Sequence, residues 1–189
     1  MDALLNILLT PEFFYSVLRV STPILFAAMG MVVANTAGIP NIGLEGIMLI
    51  GAFLGMLVSA LTSSAAMGLA GALLGGVACA GLLAFFTLRW RANVILGGIA
   101  VNCLASGGTV FFLYIFAGDK GTSASVASKV LPRVSIPVLR RFPVLGAVFS
   151  GHNVLTYLAL LSVAAVYVFL KRTPTGFHLR AVGEDPSAA

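Results

Sequence analysis

Ile42-Gly-Leu-Glu-Gly-Ile-Met-Leu-Ile-Gly-Ala-Phe-Leu-Gly-Met-Leu-Val-Ser-Ala-Leu-Thr62 is the stretch that indicates the class of fold. Its residues are mostly apolar, and Glu45 is the only charged one. About 20 mostly apolar residues are enough for a helix to cross the hydrocarbon core of a bilayer. Backbone groups in lipid must be paired within the protein, and a helix pairs them within one segment. The stretch therefore predicts a helix that spans a membrane.

Four further stretches share this length and apolar character: 18–38, 66–88, 94–117 and 154–170. The whole chain of 189 residues is 59% hydrophobic and only 9% charged, which is too little polar side chain to cover a soluble globule. We predict an all-α, polytopic transmembrane helical bundle with about five spans, in which residues 1–170 form the transmembrane domain.

The segment 118–153 separates the last two predicted spans. Pro132, Pro137 and Pro143 forbid a continuous helix through it. Its apolar part, Phe142–Phe149, is too short to cross a bilayer. We therefore expect a loop outside the membrane, with Phe142–Phe149 at the membrane surface.

Ten of the eleven basic residues divide equally between the two predicted faces of the membrane, five on each side, and the eleventh, Arg19, lies near the outer end of the first span. Those at 89–91 and 171–180 are denser and lie close to span ends, where positive charge marks the cytoplasmic face. We therefore predict that the N-terminus and the loop 118–153 lie outside, and that residues 171–189 are cytoplasmic. Because the basic residues are scattered at the ends of apolar runs, we expect them to meet lipid headgroups and expect no nucleic-acid binding.

Small residues recur in the spans at intervals of one helical turn. Gly51 and Gly55 form one pair, and Gly71 and Gly75 form another. Such spacing lets helix backbones approach closely. It predicts tight packing against neighbouring helices or subunits.

The polar stretch 35–46 between the first two spans has two interpretations. In the first, Gly38 and Pro40 break the chain, Asn41 caps the second helix, and Glu45 lies in its first turn, where the helix dipole favours an acid. In the second, a broken helix borders a polar passage, with Asn41 and Glu45 one turn apart on the same face. We favour capping for Asn41, and for Glu45 both interpretations stay open because an acid inside a membrane is costly.

Asn102, Ser106 and Thr109 follow i, i+4, i+7 spacing on the fourth span, so they form one polar stripe along a helix. Hydrogen bonds to other helices would explain the stripe, and hydroxyls can also bond their own backbone. The alternative is a lining for the path of a hydrophilic solute. We favour helix packing and keep the solute path as the second interpretation.

The sequence contains none of the common motifs of enzyme or metal chemistry. It has no phosphate-binding Gly-rich loop, no Gly-x-Ser-x-Gly turn and no His-Glu-x-x-His helix. Cys79 and Cys103 each lie in an apolar run, where cysteine acts as a small hydrophobe. We therefore expect no catalytic residues, no metal site and no cofactor.

Two segments, Ala37–Phe53 and Thr175–Ala189, together resemble the permease subunits of ABC importers in the branched-chain amino acid and ribose-type group. The resemblance is strongest to the subset associated with nucleoside uptake, and the chain looks like the N-terminal part of such a permease. It implies a multi-pass protein of a bacterial-type plasma membrane that carries a small hydrophilic solute, with nucleosides expected and sugars or branched-chain amino acids as alternatives. An ion-coupled transporter that uses Glu45 is a further alternative.

The same resemblance implies partners. These are a cytosolic ABC ATPase subunit that supplies the energy, a second permease that is homologous or identical, and an extracytoplasmic solute-binding protein or lipoprotein. In such importers a short cytoplasmic helix of the permease fits a groove of the ATPase, and residues 171–189 would lead into that helix. On this resemblance the segment Asn41–Ala52 would border the substrate route.

The coupling segment is predicted to hold six residues with distinct roles. Gly176 and Gly183 would let the chain turn sharply, and Arg180 would meet acidic groups of the ATPase or lipid headgroups. Glu184, Asp185 and Pro186 would start a helix, because Asp185 suits the N-cap, proline suits the first position and Glu184 adds negative charge beside the positive helix end.

Overall fold

The structure, a computed structural model, describes residues 10–118, 122–123, 125–135 and 143–185. The helices in these ranges are α1 (Pro11–Thr36), α2 (Leu44–Thr62), α3 (Ala65–Trp90), α4 (Val94–Ala117), α5 (Pro143–Phe149), α6 (Val154–Arg172) and α7 (Pro174–Glu184). The only β-type pairing within the described residues is an isolated bridge between Arg133 and Asn153. The predicted all-α fold is confirmed.

Five of these helices, α1 to α4 and α6, are long and apolar enough to cross a membrane. Each predicted span corresponds to one of them, and all but one of the predicted ends lie within two residues of the observed ends. The exception is the start of α1, predicted at residue 18 and observed at Pro11, the first helical position after Thr10. A proline at this position loses nothing, because its missing N–H would be unpaired there. The charged residue Glu12, near the start of α1, hid this extension in the sequence.

By its contacts the chain divides into two compact units, one made of residues 1–37 and 131–189 and the other of residues 38–130. In the first unit, α1 and α6 run parallel. The Thr22 and Thr156 hydroxyls form a buried hydrogen bond of 3.0 Å, and the ring of Tyr15 stacks on His152 at a centroid distance of 4.0 Å. The beginnings of both helices therefore lie at the same end of this unit.

His152, just before α6, is buried, with an exposed fraction of only 2%. Its Nε2 lies 2.8 Å from the carbonyl oxygen of Val148, and the Tyr15 hydroxyl donates to the Gly151 carbonyl at 3.0 Å. These bonds satisfy polar groups that the packing removes from water. They tie the residues before α6 to α1.

In the second unit, α2 and α3 are antiparallel and their glycines face each other. A Cβ atom built on Gly55 would lie 2.9 Å from the Ala72 Cβ, and one built on Gly71 would lie 2.8 Å from a methyl group of Val58. Any side chain at these glycines would push the helices apart. The prediction that the glycine pairs serve close helix packing is confirmed for this pair of helices.

The C-terminal helix α7 starts earlier than expected. Thr173 caps it, its hydroxyl accepting from the Gly176 N–H at 3.1 Å, and Pro174 takes the first position. Gly176 and Gly183 thus lie inside a helix, so the prediction that they make sharp turns is wrong. Glu184 ends this helix and Asp185 follows it in extended conformation.

The predicted helix start at Asp185 and Pro186 runs into residues 186–189, which lie outside the described part of the chain. It stays a prediction. The extended backbone of Asp185, with φ −148° and ψ 108°, has the conformation typical of an N-cap residue.

Candidate functional site

The start of α2 is capped by a residue from another helix. The N-cap position is Gly43, which has no side chain to offer. Instead, the Asn102 Oδ1 atom on α4 accepts from the Gly46 N–H at 2.7 Å, while the Asn102 Nδ2 atom donates to the Ile42 carbonyl at 3.0 Å. The predicted role of Asn102 in interhelical hydrogen bonding is confirmed.

Glycines bring the two helices close enough for these bonds. A Cβ atom on Gly98, one turn before Asn102, would lie 2.7 Å from the Gly43 nitrogen, and one on Gly46 would lie 2.8 Å from the Val101 carbonyl oxygen. Real Cβ atoms do not approach backbone atoms so closely. The contact between the start of α2 and α4 therefore requires glycine at both Gly98 and Gly46.

The predicted capping role of Asn41 is wrong, because α2 begins at Leu44 and the cap comes from Asn102. The proposed common helical face of Asn41 and Glu45 is also not observed, since Asn41 lies before the helix. The Asn41 Oδ1 atom is buried and has no hydrogen-bond partner within the described residues. Glu45 lies in the first turn of α2, as predicted, and its side chain is exposed.

A cavity of about 600 Å³ lies between α2 and α4; most of its lining is apolar, and we call it the polar cavity after the serine and threonine hydroxyls among its lining residues. Its lining consists of Leu49, Ala52, Phe53, Met56, Ser106, Thr109, Val110, Leu113, Ser123 and Ser128. The structure thus brings Ser106 and Thr109 together at one cavity, while Asn41, Glu45 and Asn102 are not part of its lining. Sequence reasoning missed Ser123 and Ser128, because residues in a loop carry no periodic signal.

Two hydroxyl groups of the polar cavity lie on α4, and their oxygen atoms can accept hydrogen bonds from a solute. The Ser106 Oγ donates to the Cys103 carbonyl at 3.0 Å, and the Thr109 Oγ1 donates to the Ala105 carbonyl at 2.7 Å. A hydroxyl that has given its hydrogen to the backbone keeps lone pairs for another donor. Among the described residues no charged side chain lines the cavity. The arrangement suits a neutral solute that carries O–H or N–H groups.

Helix α7 is seated on the ends of two other helices by its glycines. A Cβ atom on Gly176 would lie 2.7 Å from the Leu170 Cα on α6, and one on Gly183 would lie 3.0 Å from the Thr36 carbonyl carbon on α1. Both contacts are with backbone, which has little room to yield. The glycines therefore fix where α7 lies within its unit.

Arg180 and Phe177 lie on α7 beside the face that carries its glycines. The Arg180 guanidinium carbon lies 5.8 Å from the Phe177 ring centroid, a distance at which cation and ring attract. The Arg180 Nε atom is buried and has no hydrogen-bond partner in the part of the chain that the structure describes. Phe177 is 63% exposed, and Glu184 is exposed as well. Phe177, Arg180 and Glu184 therefore lie along one edge of α7, next to its glycine contacts, with the ring and the acid exposed and the cation partly buried.

Comparison with known proteins identifies relatives along nearly the whole chain. A guanosine ABC transporter permease protein of Bacillus subtilis is 33% identical over 179 residues, which is 89% of this chain and 54% of the relative. A nucleoside ABC transporter permease protein of Lactococcus lactis is 34% identical over 178 residues, covering 89% of this chain and 55% of the relative. A provisionally named glucose ABC transporter permease protein of Haloferax volcanii is 33% identical over 175 residues, which is 90% of this chain and 51% of the relative.

The chain spans about half the length of the curated relatives it matches. No solved structure matches it at a significant level. Residues 13–189 match the family described as the branched-chain amino acid transport system permease component. With its five membrane-length helices, this chain is a membrane protein that belongs to that permease family.

Proposed function

We propose that this chain is part of the transmembrane permease subunit of an ABC importer, and that the polar cavity is part of its solute path. The observation that carries the proposal is an uncharged cavity, bordered by the Ser106 and Thr109 hydroxyls, in a chain whose relatives are ABC transporter permeases. The permease performs no chemistry on the solute. A separate cytosolic ATPase subunit supplies the energy.

The chemistry of the cavity favours some solutes over others. Nucleosides and sugars are neutral and rich in hydroxyl donors, and two relatives are named for guanosine or nucleosides and two for glucose. A branched-chain amino acid would bring two charges into a site that offers none, and an unpaired charge out of water is expensive. We therefore propose a nucleoside as the solute and a sugar as the second candidate.

The coupling partner is proposed to meet the chain at α7. Positive charge at the ends of α3 and α6 favours placing those ends, and with them α7, in the cytoplasm. There the exposed Phe177, with Arg180 and Glu184, would face the ATPase. A second permease subunit, and a solute-binding protein or lipoprotein on the opposite side of the membrane, would complete the importer.

Glu45 remains the basis of the ion-coupled alternative. The acid is outside the polar cavity lining and lies where the dipole of α2 favours a negative charge. Its position is thus explained without ion coupling. We propose the importer and keep Glu45 as a candidate residue of the solute route.

Transport by the full-length permease tests the proposal. The permease, its ATPase and its binding protein would be reconstituted in proteoliposomes, and uptake of labelled guanosine, glucose and leucine measured with ATP on the ATPase side. We expect uptake of guanosine that requires ATP hydrolysis and persists when the membrane potential is collapsed. Uptake that follows the membrane potential and ignores ATP would contradict the importer, and preference for leucine would contradict the solute class.

A further inference from the structure

A segment of chain after α4 is attached to α2 through one buried serine. We call residues 125–130 the strap. The Lys129 N–H donates to the Ser59 Oγ at 3.0 Å, and the Ser59 hydroxyl donates back to the Lys129 carbonyl at 3.3 Å. The side chain of Ser59 is only 3% exposed. The Ser59 hydroxyl therefore satisfies both the backbone N–H and the backbone carbonyl of Lys129.

The position of Ser59 is itself fixed by the contact between α2 and α3. A Cβ atom on Gly68 of α3 would lie 2.6 Å from the Ser59 Cβ, so the two backbones meet closely at this serine. A buried hydroxyl without a partner is costly, and Lys129 provides its partners. The pairing of Ser59 with Lys129 is therefore favoured by the burial of Ser59 itself.

The strap is also tied within itself and to the end of α4. The Val126 N–H donates to the Ser123 carbonyl at 3.1 Å, and the Ser128 N–H donates to the Val126 carbonyl at 2.9 Å. The Ser125 hydroxyl donates to the Ala117 carbonyl at 3.2 Å. These short-range bonds mean that fixing Lys129 also fixes its neighbours. Ser128 of the strap, and Ser123 just before it, belong to the lining of the polar cavity.

We propose that Ser59 is a positioning residue for the solute: it holds the strap as one wall of the polar cavity, so that Ser123 and Ser128 face a neutral, hydroxyl-bearing solute. The inference rests on the proposed transport function. Ser59 does not line the cavity and acts through Lys129. Its loss should therefore weaken solute binding without removing any group that touches the solute.

The first experiment measures the mobility of the strap directly and does not depend on a transport assay. In the full-length complex, with Cys79 and Cys103 replaced by alanine, a nitroxide would be attached to Val130→Cys, a position 79% exposed. We expect Ser59→Ala to narrow the electron paramagnetic resonance lines, because the label gains motion. Ser162→Ala is the matched control, since that hydroxyl bonds only the Ala159 carbonyl of its own helix at 2.7 Å. Equal spectra in all three proteins would overturn the proposal.

The second experiment measures uptake by the same complexes. We expect Ser59→Ala to raise KM several-fold while kcat and the yield of assembled complex stay near wild type, and Ser59→Thr, which keeps a hydroxyl, to restore part of the affinity. Lys129→Pro removes the N–H and should resemble Ser59→Ala, whereas Lys129→Ala keeps it and should resemble wild type. A mobile label with unchanged KM would overturn the role of the strap as a cavity wall.

The two readouts separate the two proposals. If the wild-type complex takes up none of the tested solutes, the proposed function fails. The nitroxide spectra still support or overturn the attachment of the strap by Ser59 in that case.

Discussion

The Asn102 amide oxygen on α4 accepts a 2.7 Å hydrogen bond from the Gly46 backbone N–H, so α2 is capped by a residue 56 positions away in the sequence. The first N–H groups of a helix have no partner within it, so each needs a partner from elsewhere. The packing of α2 against α4 therefore stabilises the first turn of α2, because Asn102 supplies the partner of the Gly46 N–H.

Replacing Asn102 by leucine, which is similar in size, should destabilise the protein. The Gly46 N–H and the Ile42 carbonyl would both lose their partner, at a cost of about 1–3 kcal/mol. Thermal unfolding of the full-length permease in detergent measures this. Ser106→Ala on the same helix is the control, because its hydroxyl bonds only its own helix. Equal unfolding temperatures for Asn102→Leu and Ser106→Ala would contradict the capping role.

Gly98→Ala should separate α2 from α4, because the added methyl group would lie 2.7 Å from the Gly43 nitrogen. Overpacking of this kind costs about 1–3 kcal/mol. Gly107 lies on the same helix and has no described atom within 4 Å of a built Cβ. There, alanine should be neutral or stabilise by up to about 1 kcal/mol, since it favours a helix over glycine. The opposite order of stabilities in thermal unfolding would show that the close approach is not required.

Replacing Ser106 and Thr109 together, by alanine and valine, should lower solute affinity. Each lost hydrogen bond contributes roughly 0.5–1.5 kcal/mol, so KM should rise several-fold or more. The unfolding temperature should change little, because both hydroxyls bond only their own helix. Thr62→Val removes a hydroxyl that bonds the Val58 carbonyl and lies outside the polar cavity, and it should transport normally. If the double variant had the same KM as Thr62→Val, the polar cavity would not be part of the solute path.

Glu45→Gln distinguishes the two interpretations that the sequence left open. If Glu45 borders the solute route, the variant should transport more slowly while the assembled complex is retained. A wild-type rate with a slightly lower unfolding temperature would assign Glu45 to the helix dipole alone, which contributes about 0.3–1 kcal/mol. Initial uptake rates and the yield of complex, measured on the same preparation, separate these outcomes.

The exchange Arg180→Glu with Glu184→Lys should weaken attachment of the ATPase. It inverts both charges on α7 and leaves the net charge unchanged, so membrane insertion should be unaffected. Co-purification of the ATPase with the permease measures the effect. Lys171→Gln, at the end of α6, is the control for a nearby cation outside α7. Undiminished co-purification would leave Arg180 with the alternative role of a headgroup contact.

The capping of helices shows what a local sequence pattern can and cannot indicate. Asn93 accepts from the Ile95 and Leu96 N–H groups at the start of α4, which is the local pattern that a sequence displays. Asn41, in a similar place before α2, suggested the same role, but the cap came from Asn102. Local patterns cannot identify a cap supplied by another helix, because sequence spacing does not tell which residues meet in space.

Span length and apolar character depend on local composition, so the five membrane helices could be predicted from the amino-acid sequence, with nearly every end within about two residues. The glycine pairs could be predicted too, since helical spacing is a local property. The sequence did not indicate that Asn102 caps α2, that Ser59 holds Lys129 from 70 residues away, or that four serine and threonine residues meet at one cavity. These contacts depend on how closely glycine faces let the helices approach, and that distance is set by packing between segments far apart in the chain.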